Sequence, residues 1–282
     1  MYVKQKKRFG QNFLETTWVK KVINAITPEP SDYFIEIGAG RGALTLPLAQ
    51  RSTRVLAIEI DHDLVHHLKT IVPNNVQIID GDVLTLDLEK TITPKRQEEP
   101  TQGTVRWRVA GNLPYGISSP VLGLLVEFHR KTELISDATL MLQKEVADRL
   151  LAKPGSRNYG VLGILIQLHA DIKELLTLPS GAFRPSPRVT SSLVRLSFRS
   201  PLISLVNEKL FERMVRTMFT QRRKNIANAL HPFAASTSLS SAEALTKAGL
   251  DPRRRPETLN LEELASLADI FENMTSPKNK TY

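Results

Sequence analysis

The sequence predicts an α/β protein. We expect a doubly wound, mostly parallel sheet that ends in an antiparallel pair of strands, followed by a small all-helical C-terminal domain. Short apolar runs alternate with helical patterns through most of the chain, which is typical of parallel strands joined by crossover helices. Two late apolar runs, 173–178 and 192–198, look like an antiparallel pair that closes one edge of the sheet. From Asn207 onward only helical patterns follow.

The elements of the first half are read from apolar runs and their breakers. The run Tyr33–Ile37 is continuously apolar apart from one glutamate, as in a strand buried on both faces of a parallel sheet. Pro28 and Pro30 end the helix before it. In order, we expect a helix at 17–26, a strand at 33–37, a helix at 43–49, a strand at 55–59, a helix at 61–71 and strands at 76–79 and 105–110. The polar stretch 89–103 is expected to be an exposed excursion.

The second half continues this alternation and then changes. We expect a helix at 120–129, a strand at 139–142, helices at 143–152 and 159–169, the antiparallel pair, a helix from 207 and a last helix at 261–271. The segment Phe183–Val189 is too rich in proline for either a helix or a strand, so a rigid loop is predicted. Ser240 and Glu243 fit a capping box. We place a domain boundary near Pro201, between 1–200 and 201–282.

Composition limits the class of protein. The chain has 282 residues, of which 41% are hydrophobic and 24% charged, as in a globular protein with one large and one small domain. The net charge of +9 favours an anionic partner, and nucleic acid before membrane, because no apolar run is long enough to span a bilayer. The absence of cysteine excludes disulfides, thiolate metal sites and cysteine nucleophiles. No signal-peptide core follows the basic N-terminus, so we expect a soluble cytoplasmic protein.

A glycine cluster predicts the cofactor. Gly38, Gly40 and Gly42 directly follow a strand and open a helix, which lets the backbone approach a nucleotide-like ligand. Glu59 ends the second strand at about the spacing of a carboxylate that binds ribose hydroxyls. The glycine spacing lacks the extra residue of the dinucleotide pattern, so a nucleoside without phosphates, S-adenosylmethionine, is favoured. Asp82, at the tip of the third strand, is then a candidate acceptor for the adenine amino group, or a loop cap.

The strand tip Asn112-Leu113-Pro114-Tyr115 predicts the reaction. The amino nitrogen of adenine is a poor nucleophile because its lone pair is delocalised into the ring. If the Asn112 side-chain oxygen and the Pro114 carbonyl each accept one amino hydrogen, the lone pair can point at a sulfonium methyl group. Catalysis is then mainly positioning, without a metal. Tyr115 is expected to stack on the base.

Six motifs in order resemble those of the small-subunit rRNA adenine-N6,N6-dimethyltransferases, over nearly the whole chain. The motifs are Lys7–Leu14, Glu36–Gly42, Asn112–Tyr115, Met141–Val146, Phe183–Val189 and Gln221–Lys224. The resemblance implies a Rossmann-like class I methyltransferase sheet and dimethylation of two adjacent adenosines in a hairpin near the 3′ end of 16S rRNA. Relative to this family, the stretch 89–103 looks somewhat long.

The same resemblance implies roles for individual residues. The S-adenosylmethionine site would be lined by a set from the leader and the strand ends, namely Asn12, Leu14, Gly38, Glu59, Asp82 and Asn112. Tyr115 and Phe183 would lie near the target base. The basic leader, residues 1–16, would fold over the cofactor through 11–14.

The basic residues of the C-terminal half predict an RNA surface. Between 184 and 224, ten basic residues stand against two acidic ones, which is also compatible with a solvated face. We expect this surface and the run 253–255 to bind rRNA phosphates. The candidate residues are Arg184, Arg188, Arg222, Arg223 and Lys224. The partner is then 16S rRNA in the small subunit or its precursor, the protein a monomer, and a membrane is not involved.

Three other functions stay open. The related branch that dimethylates large-subunit rRNA shares the cofactor motifs, although 221–224 and 157–160 favour the small-subunit branch. A nicotinamide-dependent oxidoreductase is disfavoured by the glycine spacing. A non-catalytic ribosome assembly factor is disfavoured by the intact Asn112 and Glu59. His62 and His66 have a helical spacing that could hold a metal, but no third ligand is near in sequence, so we expect none.

Overall fold

A computed structural model describes residues 11–92 and 105–275. The strands are β1 (Phe13–Leu14), β2 (Tyr33–Ile37), β3 (Arg54–Glu59), β4 (Val76–Asp80), β5 (Trp107–Asn112), β6 (Ile135–Gln143), β7 (Ala170–Leu178), β8 (Phe183–Arg184) and β9 (Ser191–Phe198). The helices are α1 (Thr16–Ile26), α2 (Thr45–Ala49), α3 (His62–Lys69), α4 (Leu88–Ile92), α5 (Ser118–Thr132), α6 (Lys144–Leu151), α7 (Val161–Gln167), α8 (Glu208–Thr220), α9 (Ile226–Ala234), α10 (Ser241–Ala248) and α11 (Leu261–Thr275).

A seven-stranded sheet confirms the predicted fold class. Its strand order is β4-β3-β2-β5-β6-β9-β7. The five neighbouring strands β4, β3, β2, β5 and β6 are parallel to one another. Strand β9 is antiparallel to both of its neighbours, β6 and β7. The chain winds outward from β2 to β4 and then crosses to β5 on the other side of β2. The carboxyl ends of β2 and β5 therefore form the switch point at which ligands bind in doubly wound sheets.

Gly111 lets the two strands meet at this point. It lies opposite Ile37 in the parallel register of β2 and β5. A Cβ atom on Gly111 would lie 2.6 Å from the Ile37 carbonyl oxygen, which is a backbone atom that cannot move aside. A glycine is therefore required for the closure of the sheet directly before Asn112.

The chain forms two compact units. The first comprises the described residues of 1–147 and 169–200, and the second those of 148–168 and 201–282. The second segment of the helical unit begins at Pro201. The segment 148–168 also packs with the C-terminal helices, because Tyr159, Ile164 and Leu168 are buried in their core.

Several elements differ locally from the expectations. The loop predicted for Phe183–Val189 is wrong for its first two residues. Residues 183–184 form the strand β8, which pairs antiparallel with β1 in the leader. The stretch expected to leave the fold at Glu89 first forms α4, whose Leu88 and Ile92 are buried. The remainder of that stretch and leader residues 1–10 lie outside the described residues. The antiparallel pair and the Ser240–Glu243 capping box are confirmed.

Candidate functional site

A cavity of about 400 Å³ lies at the switch point of the sheet. Its walls come from the leader, the glycine loop, the ends of β3 and β4 and the turn after β5. The lining residues are Gln11, Asn12, Phe13, Ile37, Gly38, Gly40, Ile58, Glu59, Ile60, Leu64, Gly81, Asp82, Val83, Asn112, Leu113, Pro114, Tyr115, Gly116 and Ile117. Within the described residues, this lining contains two carboxylates and neither lysine nor arginine. The cavity therefore suits a nucleoside with a positive charge better than one with phosphates.

Glu59 holds the glycine loop. One carboxylate oxygen accepts from the Gly40 N–H at 2.8 Å, and the other accepts from the N–H groups of Ile60 at 3.0 Å and Asp61 at 2.9 Å. Burial raises the pKa of the Glu59 carboxyl, although these backbone donors lower it in part. Since a carboxylate has about four acceptor positions, Glu59 can hold the loop and still accept from a ligand hydroxyl.

A second carboxyl, Glu36, lies on β2 just before the glycine loop. It is 1% exposed and is flanked in register by Ala57 and Ala110. Its Oε2 atom has no hydrogen-bond partner within the described part of the chain. Burial raises the pKa of Glu36 to about 8, with a lowering contribution from Thr45. Glu36 is therefore mostly protonated at neutral pH.

We expect Glu36 to make the first unit less stable as pH rises. Because its pKa is higher in the folded than in the unfolded state, the free energy of unfolding falls between about pH 4.5 and 8, by at most about 5 kcal/mol. Glu36→Gln should remove this slope and be the more stable form above pH 8. Urea unfolding followed by tryptophan fluorescence reports on this unit, because Trp18 and Trp107 both belong to it. An unchanged slope in the variant would contradict the assignment.

Asp82 lines the cavity and also caps its own loop. Its Oδ1 atom accepts from the Leu84 N–H at 3.0 Å. The two roles considered from the sequence are thus compatible, because the second carboxylate oxygen remains available for a ligand amino group.

Asn112 ends β5 with its side-chain amide fixed. Its Nδ2 donates to the Asn12 carbonyl at 2.7 Å. Since a carbonyl can only accept, the orientation of the amide is determined, and Oδ1 is the atom that remains for a ligand. Asn112 also lines the cavity. The leader thus fixes the orientation of the Asn112 amide at the wall of the cavity.

The turn after Asn112 places Pro114 and Tyr115 at the same cavity. The Pro114 carbonyl already accepts from the Ile117 N–H at 3.1 Å and lies 3.5 Å from the Ser118 hydroxyl. Its capacity for a ligand hydrogen is therefore smaller than that of a carbonyl without partners. The Tyr115 ring is half-buried in the cavity wall.

The leader is fixed over the cavity by polar contacts. Gln11 donates to Asp61 Oδ2 at 3.0 Å, and the Asn12 carbonyl accepts from Asn112. The guanidinium of Arg41 lies 4.0 Å from the centre of the Phe13 ring. Residues 11–13 thus form part of the cavity wall, as the resemblance implied for 11–14.

Leu14 and Phe183 are placed differently from the other candidates. They face each other in the β1–β8 pair and are 9% and 1% exposed in one apolar cluster. Neither lines the cavity. Leu14 therefore anchors the leader, and Phe183 has no ring face open to a base in this conformation.

The site fits a methyltransferase, and comparisons with known proteins decide the family. The family model described as ribosomal RNA adenine dimethylase matches residues 2–273. The chain belongs to the ribosomal RNA adenine dimethylase family. Members of this family are S-adenosylmethionine-dependent rRNA adenine dimethyltransferases.

Relatives of this dimethylase match over almost the whole chain. Two are the ribosomal RNA small subunit methyltransferases A of Acinetobacter baylyi, 40% identical over 94% of this chain and 92% of the relative, and of Nitrosococcus oceani, 41% identical over 93% and 94%. Among solved structures, a dimethyladenosine transferase from Plasmodium falciparum covers 90% of this chain and 95% of its own, with a TM-score of 0.73 and 24% identity. The 23S rRNA methyltransferase ErmE covers 93% and 100%, with a TM-score of 0.63 and 23% identity. The two structures support the fold.

The predicted RNA-binding residues of the dimethylase divide into paired and exposed side chains. Arg222 donates through Nε and Nη2 to Glu257, at 3.0 and 2.7 Å, and through Nη2 to the Arg157 carbonyl. Arg223 and Lys224 are exposed. The pairing of Arg222 reduces its availability for phosphate. Its side chain instead links the loop that contains Arg157 to the turn that contains Glu257.

The other basic candidates include exposed side chains with and without an ion pair among the described residues. Arg188 and Arg184 are both exposed, and Arg184 forms an ion pair with Glu15 at 3.1 Å. In the run 253–255, Arg253 pairs with Asp251 and Arg254 with Glu263.

Residues 11–92 and 105–275 contain neither a cluster of metal ligands nor a helix that could span a membrane. No group of three or more metal-ligating side chains is present there, and His62 pairs with Asp80 instead. No helix in those ranges combines the length and the apolar character needed to cross a membrane.

The structure adds residues that the sequence interpretation omitted. Gln11 stands inside a recognised motif, but its contact with Asp61 spans 50 positions of sequence. Ile60 and Val83 follow the two strand-end carboxylates and line the cavity. Because each directly follows a predicted ligand-binding carboxylate, Glu59 or Asp82, the sequence contained enough information to predict that they line the cavity.

Proposed function

We propose that this protein dimethylates the N6 amino groups of two adjacent adenosines in a hairpin near the 3′ end of 16S rRNA, in the small ribosomal subunit or its precursor, with S-adenosylmethionine as donor. The observation that carries the proposal is the Asn112 amide at the cavity wall, whose orientation is fixed by its bond to the leader. The relatives at about 40% identity are named for the small subunit, which supports this branch over the large-subunit one.

The residues of the cavity fit the donor. When bound, S-adenosylmethionine supplies an electrophilic methyl group on a sulfonium cation. Glu59 would accept from the ribose hydroxyls and Asp82 from the adenine amino group, while Gly38, Gly40 and Asn12 would form the remaining wall. A dinucleotide pyrophosphate would meet two carboxylates and no cation in the described lining, so the oxidoreductase reading is disfavoured.

The acceptor adenine is oriented by the strand tip. Asn112 Oδ1 accepts one amino hydrogen, and a carbonyl of the following turn accepts the other. Pro114 can do so through the lone pair that Ile117 leaves, in place of the 3.5 Å contact with the Ser118 hydroxyl. This draws the nitrogen toward tetrahedral geometry, and its lone pair then points away from both acceptors. As the N–C bond forms, the bond between the methyl carbon and the sulfonium sulfur would break, and S-adenosylhomocysteine would leave with that electron pair. The same oxygens would hold the amino hydrogens until one passes to water as a proton.

Tyr115 would stack on the target adenine after this base leaves the RNA helix, and the stacking would contribute about 1 to 3 kcal/mol to binding. The Phe183 ring would have to leave its apolar cluster to cover the second face. Its role there remains a prediction from the resemblance.

A transfer assay with labelled S-adenosylmethionine tests the choice of subunit. Purified protein is incubated separately with immature small subunits and with immature large subunits. We expect incorporation into small-subunit rRNA alone. Label in large subunits alone would favour the macrolide-resistance branch, and no label in either would favour a non-catalytic assembly factor.

The exposed cations of 223–224 are expected to bind rRNA phosphates. The double variant Arg223→Ala/Lys224→Ala should weaken rRNA binding and reduce the slope of log affinity against log salt by about 1.5, with cofactor affinity unchanged. Lys69→Ala/Lys131→Ala removes the same charge from exposed helix positions of the first unit and is the matched control. A salt slope equal to that of the wild type would refute the assignment.

Arg222→Ala should act differently from its neighbours. It leaves Glu257 and the Arg157 carbonyl without their donor, so we expect lower stability of the helical unit and a nearly unchanged salt slope. Thermal unfolding followed by circular dichroism, together with the salt titration, separates the two effects.

We also propose that the protein is a monomer and that it acts in the cytoplasm, where ribosomal subunits are assembled.

A further inference from the structure

The Tyr115 ring is held at its far end by a strand that is distant in sequence. Its phenol oxygen lies 3.0 Å from the Ser191 hydroxyl oxygen, and either oxygen can be the donor. Ser191 is 1% exposed and is the first residue of β9. No motif argument identifies this serine.

The strand order shows what the contact does to the ring. Tyr115 follows β5, and β6 lies between β5 and β9. Neighbouring strands are about 4.8 Å apart, so β5 and β9 are separated by about 10 Å. The tyrosine side chain therefore reaches across the end of β6, where Gln143 stands opposite Ser191 in the register.

The anchor at Ser191 is rigid. Its backbone pairs with Gln143 of β6 on one side and with Leu178 of β7 on the other. At the near end, the backbone of Tyr115 begins the short 3₁₀ turn Tyr115–Ile117. A tyrosine side chain has only two torsions, and its phenol oxygen lies on the axis of the second, so holding the hydroxyl fixes χ1 and with it the direction in which the ring extends along the cavity wall.

We propose that Ser191 is a positioning residue for methyl transfer, which acts by fixing the position and the direction of the Tyr115 ring on which the target adenine stacks. The inference rests on the proposed function, because it needs the base to lie on Tyr115. Stacking alone does not require a phenol hydroxyl. The hydroxyl is needed here to reach β9, and a displacement of about 1 Å at the reacting nitrogen can cost about 100-fold in rate.

A double-mutant cycle tests the proposal on the full-length protein with immature small subunits. Ser191→Ala and Tyr115→Phe each remove one side of the contact and leave the aromatic ring in place. We expect each to lower kcat by about tenfold, with the KM for S-adenosylmethionine unchanged. The double variant should be no slower than either single variant, because both remove the same contact.

Ser192→Ala is the matched control. It removes the neighbouring hydroxyl, which is also buried but donates to Glu174 at 2.8 Å on the strand β7. A merely structural role would lower the melting temperature of both serine variants and leave kcat the same in both. Loss of kcat in Ser191→Ala alone supports the proposal.

Three results would overturn the proposal while the wild type remains active. They are a kcat for Ser191→Ala within twofold of the wild type, equal losses of kcat in Ser191→Ala and Ser192→Ala, and losses that multiply in the double variant. A wild-type protein that methylates no small-subunit adenine would instead overturn the proposed function, and the inference with it.

Discussion

Asn112→Ala is expected to lower methyl transfer by about 100- to 1,000-fold, the range found when one preorganised hydrogen-bonding group is removed from an active site. The variant loses the Oδ1 acceptor for the adenine amino group. It also removes the Asn112 amide as a donor to the Asn12 carbonyl and so weakens the attachment of the leader, so S-adenosylmethionine should bind a few-fold more weakly. Single-turnover rates at saturating cofactor, with calorimetric affinities beside them, separate the two losses.

Two further variants sharpen this test. Asn112→Asp keeps an acceptor but cannot donate to the Asn12 carbonyl, so we expect a large loss there too. Asn75→Ala removes another asparagine of the same unit, whose amide donates to the Ala49 and Ser52 carbonyls. It should cost stability but not turnover. Near-normal turnover in Asn112→Ala would overturn the role given to the strand tip.

Glu59→Ala is expected to weaken S-adenosylmethionine binding by more than 100-fold. The change leaves three backbone N–H groups without their acceptor, one in the glycine loop at Gly40 and two after β3 at Ile60 and Asp61, at about 1.5 to 3 kcal/mol for each hydrogen bond to a charged group. It also removes the acceptor for the ribose hydroxyls. Isothermal titration of the cofactor measures the loss.

The isosteric variant separates the charge of Glu59 from its shape. Glu59→Gln keeps one oxygen but turns an NH₂ group toward one set of backbone donors, so we expect an intermediate loss of affinity. Glu127→Gln, on the exposed face of α5, is the matched control and should bind the cofactor normally. Affinity within threefold of the wild type in Glu59→Ala would show that the loop does not depend on this carboxylate.

The parts of the fold that could be predicted are those specified by residues close to one another in the sequence. The run Tyr33–Ile37 and the glycines after it specify a buried strand and a close-approach loop within ten residues. The same holds for Glu59 and Asn112 at their strand ends. Because parallel strands place their carboxyl ends at one edge, these local features were sufficient to bring the site together.

The parts that could not be predicted depend on contacts between distant segments. The pairing of 13–14 with 183–184 involves two residues on each side and has no periodicity to detect. The Arg222–Glu257 pair and the Tyr115–Ser191 contact join segments 35 and 76 positions apart. For the same reason, the sequence placed Phe183 in a rigid loop near the target base, whereas in the structure it is buried in a short strand.

The most direct test of the account is to identify the methylated nucleoside. Immature small subunits are incubated with the purified protein and S-adenosylmethionine. Their rRNA is then digested and analysed by mass spectrometry with nuclease mapping. We expect N6,N6-dimethyladenosine at two adjacent positions near the 3′ end, and at least 100-fold slower formation of it with Asn112→Ala. Methyl groups on a ring nitrogen, on ribose or on a base other than adenine would contradict the account.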